Sequence, residues 1–200
     1  VIDASNLERN LYLVIQLLEM GQRVLLDLNM MDRVEKSKIR IDTQKLSMIL
    51  GIDIVETVAS KGRGIKDLER KIIENCKRNE KKFFKIDYQN LESAIEEIAS
   101  LLEGKEISSD IPPRAIAIRV LEQDFDLLNE TKRIIPHIEE VRNRTEIEIS
   151  RLTGEDLETF IIERRYAFLK GVVKECAKKE VSLEARLTFS DKLDKVLTNR

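Results

Sequence analysis

The chain has 200 residues, with Lys plus Arg 35, Asp plus Glu 37, one His and a formal net charge of -2, enough length for one ordinary domain or two small ones with a real core. Charges of both signs make up 36% of positions and nearly cancel, so no global attraction to nucleic acid or membrane follows and no nucleic-acid partner is expected. Apolar stretches are broken every few residues, and none approaches the roughly 18 to 20 needed to span a bilayer, so the chain by itself reads as soluble.

Val1 opens the chain without Met or a leader segment, and Val1-Ile2-Asp3 already reads as the end of a strand, so the chain is expected to begin mid-domain. Further strands are expected at Arg23 to Asn29 and at Asp53 to Val58. Between the first two, Leu7, Leu11, Val14, Ile15 and Leu18 keep helical spacing, with Gly21 as the stop. Between the second and third, Asp42 caps a helix carrying Leu46, Ile49 and Leu50, ended by Gly51. Gly62 and Gly64 make a tight loop before Ile65, Leu68, Ile72 and Cys76 start another helix. This β-α-β-α-β-α order is that of an α/β layer with a parallel sheet.

Beyond Asn79-Glu80-Lys81-Lys82 only helical faces are expected, which places a boundary near residues 80 to 85 and divides the chain into 1–82 and 83–200. Leu91, Ala94, Ile95, Ile98 and Leu101 form one stripe closed by Gly104. Pro112 and Pro113 start a helix carrying Ile116, Ala117, Val120 and Leu121. Ile134, Ile138, Val141, Thr145, Ile149 and Leu152 predict one long helix stopping at Gly154. Leu157, Phe160, Ile161, Phe168, Val172 and Cys176 predict another, and Ser190 caps a last short helix through Leu197. The fold class is therefore α/β followed by all-α.

In an open α/β sheet, ligands bind outside the carboxyl ends of the strands, where loops are free. Three loops should converge there: after Asp3, after Asn29, and from Val58 to Gly64. Leu28-Asn29-Met30-Met31-Asp32 puts a carboxamide at a strand end and a carboxylate one turn later. Guanine presents N1–H and N2–H2 as adjacent donors, so an ionised Asp32 can accept both, whereas adenine offers an acceptor at N1. Asn29 can bond N7 or pin neighbouring loops, and Met30 is a further candidate contact. A backbone N–H of Ala59-Ser60-Lys61-Gly62 can reach the guanine O6. By spacing alone Asn29 equally well ends a strand, Asp32 caps the next segment, and the Gly-rich loop is an ordinary turn.

The segment from Val1 to Leu13 (VIDASNLERNLYL), followed by Leu28-Asn29-Met30-Met31-Asp32, resembles the later half of the GTPase domain of the bacterial ferrous iron transport protein B family. Glu163-Arg164-Arg165-Tyr166 and the stretch Ser190-Asp191-Lys192-Leu193-Asp194-Lys195-Val196-Leu197-Thr198 resemble that family's helical region just before its first membrane helix. The resemblance implies the later part of a P-loop GTPase-type domain over 1–82 and a helical regulatory domain over 83–200 that leads to a membrane segment. It implies that Asn29 and Asp32 form the guanine-specificity pair and that Val58, Ala59 and Ser60 form the second base-contacting loop. GTP or GDP would be the nucleotide, the parent protein would hydrolyse GTP at the cytoplasmic face of the inner membrane, and its own transmembrane domain would be a partner. Val58 stands where the family usually has Ser, which leaves the Ala59 N–H as the loop's contact. No G-x-x-x-x-G-K-[ST] occurs in this sequence, so phosphate cradle, Mg²⁺ ligands and switch segments would belong to the parent, upstream. A non-enzymatic helical interaction module on a truncated α/β layer is the alternative, and a homo-oligomer stays open.

Other residues point to structure rather than chemistry. Cys76 and Cys176 are too far apart in sequence for a ligand pair or disulfide framework and suit a reducing setting. His137, next to Pro136, reads as a capping or solvent-facing residue, and a lone His excludes a triad or zinc site. Glu139, Glu140, Glu146 and Glu148, interleaved with Arg142 and Arg144, read as a salt-bridged face. Arg164, Arg165 and Tyr166 read as packing and snorkelling on an amphipathic helix.

Overall fold

A computed structural model describes residues 1–77, 84–105, 107 and 110–179. Strands β1 (Ile2–Asp3), β2 (Leu25–Asn29) and β4 (Asp53–Glu56) form a parallel sheet in the order β1-β2-β4. The register pairs Asp3 with Asn29 and Leu28 with Glu56, so the three carboxyl ends stand side by side. Helix α1 (Leu7–Glu19) follows β1 through a 3₁₀ turn in which the Asp3 carboxylate accepts the Ser5 N–H at 2.8 Å. Its buried stripe of Leu7, Leu11, Val14, Ile15 and Leu18 is the one predicted from periodicity.

Between β2 and β4 the chain forms α2 (Met31–Lys36), β3 (Ile39–Ile41) and α3 (Thr43–Leu50). Asp42 caps α3 by accepting the Lys45 N–H at 2.9 Å, and Gly51 ends it in the left-handed region with φ +69, as the sequence signals require. The last α/β helix, α4 (Ile65–Lys77), buries none of its residues.

The helical part comprises α5 (Glu92–Leu102), α6 (Pro113–Leu121), α7 (Phe125–Ile134), α8 (Ile138–Thr153) and α9 (Leu157–Cys176). One expectation is corrected here. The single long helix from Ile134 is instead α7 and α8, broken at Pro136, which disfavours helical backbone at Ile135 and cannot continue the hydrogen-bond ladder. Ile134 and Leu152, placed in its apolar stripe, are exposed. The helical region follows the sheet as expected, and α9 at its end runs into a short strand, β5 (Ala177–Lys179), which pairs antiparallel with β3. Three residues that continue directly from a helix carry too short a pattern to show period 2. The helix expected from Ser190 to Leu197 lies outside the described residues.

One continuous hydrophobic cluster runs through both parts, from Leu11 and Ile15 of α1 through Leu46 of α3 to Ile95, Ile138, Ile161 and Val172. Helix α9 packs on both α1 and α3. At its midpoint Arg165, 2% exposed, donates to Glu19 of α1 at 2.9 Å and to both carboxylate oxygens of Glu122 beyond α6. The Tyr88 hydroxyl donates to Glu19 at 2.6 Å. The snorkelling expected of Arg165 is thus replaced by a buried ion pair, while its neighbour Tyr166 is partly exposed and stacks on Tyr12 of α1.

Removing a buried cation strands its partners, a loss of about 3–5 kcal/mol, against about 0–1 for an exposed pair. Arg165→Ala should therefore lower unfolding free energy in urea by several kcal/mol, and Arg144→Ala, which breaks the exposed pair with Glu97, by less than about 1. A second expectation concerns acid. Burial alone would raise the Glu92 carboxyl, but two hydrogen bonds from Arg114, one from the Tyr88 N–H and the Lys85 ammonium outweigh it and hold it at about 2, down from 4.5. The folded state binds this proton less readily than the unfolded one, so its stabilisation is present above pH 4.5 and is lost as pH falls toward about 2. Glu92→Gln should flatten that part of the urea midpoint's pH dependence.

Candidate functional site

The three loops expected to converge do so at the carboxyl edge of the sheet. Asn29 is the last residue of β2, and Met30 follows in the left-handed region with φ 63, turning the chain into α2. That turn leaves the Asn29 side chain beside its own loop and the next one. Its Oδ1 accepts the Met30 N–H at 2.8 Å and the Ala59 N–H at 3.1 Å. Of the two roles open to Asn29, the pinning of neighbouring loops is the one seen.

Asp32 lies in the first turn of α2, and its Oδ2 accepts from Lys61 Nζ at 2.8 Å. This ammonium, above all through its hydrogen bond and with further help from the charge of Lys36, holds the Asp32 carboxyl below its ordinary range. Asp32 is therefore ionised at neutral pH, as recognition of paired donors requires. The same two loops are joined again by the Arg63–Glu35 pair at 2.7 Å and by the Met31 N–H, which reaches the Thr57 carbonyl at 3.3 Å.

Val58 is buried at 1% and pairs with Arg63 across the loop, so its side chain supports the loop from inside. Ala59 and Ser60 are exposed in a 3₁₀ turn closed by Gly62 at φ 68. Gly64 is essential to this shape: its φ is +82, and a Cβ there would stand 2.2 Å from the Glu56 carbonyl oxygen. Met30 is half-buried beside Asn29. The Ala59 N–H, which the sequence reading offers to guanine O6, is given to Asn29 in this structure.

Two residues that motif spacing does not single out complete the site. Lys61 neutralises Asp32, and nothing in its position marks it before the loop is folded. Thr57, wholly buried, donates from Oγ1 to Asp27 at 2.6 Å and sets the strand from which the loop departs. The signal that could have found it is a polar residue at each of two buried positions, Asp27 within β2 and Thr57 just past β4. His137 is exposed at the start of α8, without a side-chain capping bond. Among the described residues no group of three or more His, Cys, Asp or Glu can hold a metal ion. This donor set does not fit a Mg²⁺ site. The Asn29 clamp gives a direct expectation: Asn29→Ala should speed amide exchange at Ala59 by the factor that about 0.5–1.5 kcal/mol per lost hydrogen bond implies, while Asn29→Asp retains the acceptor and much of the protection.

Comparison with known proteins fits this geometry. The family profile described as Ferrous iron transport protein B matches residues 1–72, and that described as FeoB cytosolic helical domain matches residues 88–178. The Fe(2+) transport protein A/Fe(2+) transporter FeoB fusion protein of Porphyromonas gingivalis is 33% identical over 209 residues, covering 100% of this chain and 24% of that protein. The Fe(2+) transporter FeoB of Escherichia coli K12 is 32% identical over 203 residues, covering 100% of this chain and 25% of that protein. The chain thus spans about a quarter of the length of the curated relatives it matches. A crystal structure of an S. thermophilus NFeoB mutant bound to GDP superposes with a TM-score of 0.76 at 33% identity, covering 89% of this chain and 67% of that one. The cytosolic domain of the T. maritima FeoB iron transporter in its GMPPNP form does so with a TM-score of 0.73 at 29% identity, covering 89% and 67%. With its parallel sheet, its following helices and relatives along its whole length, the chain belongs to the ferrous iron transport protein B family, in the part that comprises the cytosolic G domain and helical region.

Proposed function

We propose that the carboxyl edge of the parallel sheet reads the guanine base of GTP or GDP, and that the chain is the base-reading half of a GTPase region joined to a helical regulatory region in an Fe²⁺ transporter. Residues 1–82 are assigned to the first and 83–200 to the second, which leads on to a membrane segment at the cytoplasmic face. The observation that carries this reading is the pairing of Asn29 at a strand end with an ionised Asp32 one turn later, both tied to the loop of Ala59 to Lys61. Relatives solved with GDP and GMPPNP support the choice of nucleotide.

In this reading the Asp32 carboxylate accepts N1–H and N2–H2 of guanine, and the Asn29 carboxamide N–H donates to N7. Lys61 holds one carboxylate oxygen and is 61% exposed, so it can swing outward as the base arrives. An exposed ion pair opposes this by at most about 1 kcal/mol. Guanine O6 takes a backbone N–H of the 59–61 loop, which requires the Ala59–Asn29 bond to exchange partners. No helix among the described residues is long and apolar enough to cross a membrane. Phosphate binding and GTP hydrolysis are assigned to the parent protein, because a Gly-rich loop and its Lys supply the charge neutralisation that the triphosphate needs.

Calorimetry with GDP and ADP on the protein extended upstream through its phosphate loop tests the reading: GDP should bind and ADP should not. In that protein Asp32→Asn should shift preference from guanine to xanthine by about 1–3 kcal/mol, the value of a bidentate base contact. Unchanged GDP affinity in the variant would remove Asp32 from the site. The 200-residue chain alone should bind GDP more weakly than micromolar, since a few base contacts of about 0.5–1.5 kcal/mol each fall short of the roughly 8 kcal/mol required.

A further inference from the structure

Charge that cancels over the whole chain does not cancel over its surface. The β3–β5 ribbon sets Arg40 directly opposite Lys178 and Ile39 opposite Lys179. Arg40, Lys178 and Lys179 are exposed, as are Lys36 and Lys38 where α2 turns into β3. Like charges facing each other across a ribbon repel. Among the described residues none of these five cations makes a hydrogen bond or ion pair through its side chain. The neighbouring carboxylates are already engaged, Asp32 by Lys61, Glu35 by Arg63 and Glu175 by Lys45, while Asp42 caps α3. On the other face Ile41 is buried and Ile39 half-buried, which anchors the ribbon and turns Arg40 and Lys178 to solvent. Among the described residues these cations therefore form a repulsive cluster in which none is ion-paired, Lys36 only lending its charge to the Asp32–Lys61 pair.

We propose that this basic ribbon lies against the anionic headgroups of a lipid bilayer. Cations act on such a surface within about one Debye length, ~8–10 Å; Arg40 and Lys178 share the solvent face of the ribbon, with Lys179 at its end and Lys36 and Lys38 exposed in the turn that leads into it. Nucleic acid is the poorer match, since single-strand sites pair their cations with stacking aromatics, and Ile39–Ile41 and Ala177–Lys179 contain none. Position in the chain agrees: β5 leads directly into residues 180–200, and the relatives are Fe(2+) transporters of which this chain spans about a quarter. The proposal rests on the placement beside a membrane given above and is independent of the guanine reading.

Co-sedimentation of the 200-residue chain with vesicles tests it. The chain should bind an equimolar mixture of phosphatidylcholine and phosphatidylglycerol, not phosphatidylcholine alone, and binding should weaken as salt rises. Each unit of charge removed should lower partitioning roughly fivefold, so Arg40→Glu should lower it roughly twenty-fold or more. The same change converts a repelling cross-strand pair into an attracting one, so its melting temperature should hold or rise, which separates lost binding from lost folding. Lys178→Gln should weaken binding without reversing a charge, and Arg133→Gln with Arg151→Gln, exposed on α7 and α8, should leave binding near wild type. Wild-type binding by Arg40→Glu, equal loss in the α7 and α8 variants, or equal binding to neutral vesicles would overturn the proposal. Preference for an oligonucleotide over the anionic vesicles would overturn it in favour of nucleic acid. Membrane fractionation of the full-length protein tests the placement separately: a membrane-bound protein whose 200-residue part ignores anionic vesicles would sink the ribbon proposal alone.

Discussion

The arrangement of the two parts depends on Arg165. A guanidinium removed from water must find carboxylates or it forfeits its hydration, and here it finds Glu19 of α1 and Glu122 beyond α6. Burial pushes the Glu19 carboxyl up, opposed by Arg165 and by the Tyr88 hydroxyl. The Tyr88 phenol is in turn raised, mainly by its own burial and then by Glu19. Helix, helix end and connecting segment are thus fixed in one geometry, because none can move without exposing an unpaired charge in the interior. A hydrophobic seam alone would tolerate sliding; this contact does not.

Around that fixed point, α1 is shared by both parts. Its start follows the β1 loop at the carboxyl edge of the sheet, where Asn10 donates to the Asp3 carbonyl at 3.2 Å, and its end carries Glu19. Just beyond it, Gly21 packs so closely on Pro112 that a Cβ would stand 2.9 Å from the proline ring. One 13-residue helix therefore connects the candidate base site to the buried ion pair. Helix α9 is the complementary member. It packs on α1 and α3, and its last carbonyl, that of Cys176, accepts the Asp42 N–H at 2.7 Å before the chain pairs with β3. The end of the helical part is hydrogen-bonded to the segment that begins at Asn29 and Asp32.

The proposed base site is held by small interactions. Its loops are joined by one carboxamide oxygen, two exposed ion pairs and a backbone bond, each of modest strength. A site meant to exchange partners with a ligand is served by contacts of this size. The rigid elements beneath it, β2 and β4 with the buried Thr57–Asp27 bond, fix where the loops begin and leave their tips free to rearrange.

Periodicity was enough to place β1, β2 and β4, the buried stripe of α1, the Asp42 cap of α3 and the stop signals at Gly51 and Gly154, because each depends on local backbone geometry or on one face seeking burial. Asn29 and Asp32 were legible for the same reason: a strand end followed by one turn sets their separation. The bearing of Pro136 on α7 and α8 was also local and was missed only because the apolar spacing runs across it. Long-range partners were not legible. Lys61 lies 29 positions from Asp32, Arg165 lies 146 from Glu19, and β5 pairs with a strand more than a hundred residues earlier. Spacing carries no information at those separations, since a three-residue strand and a mid-helix arginine look ordinary until another element is laid against them. The sequence by itself determined which residues stand at the carboxyl edge of the sheet; the tertiary structure alone decided which charges are buried in pairs and which are left facing solvent, because that depends on which surfaces meet.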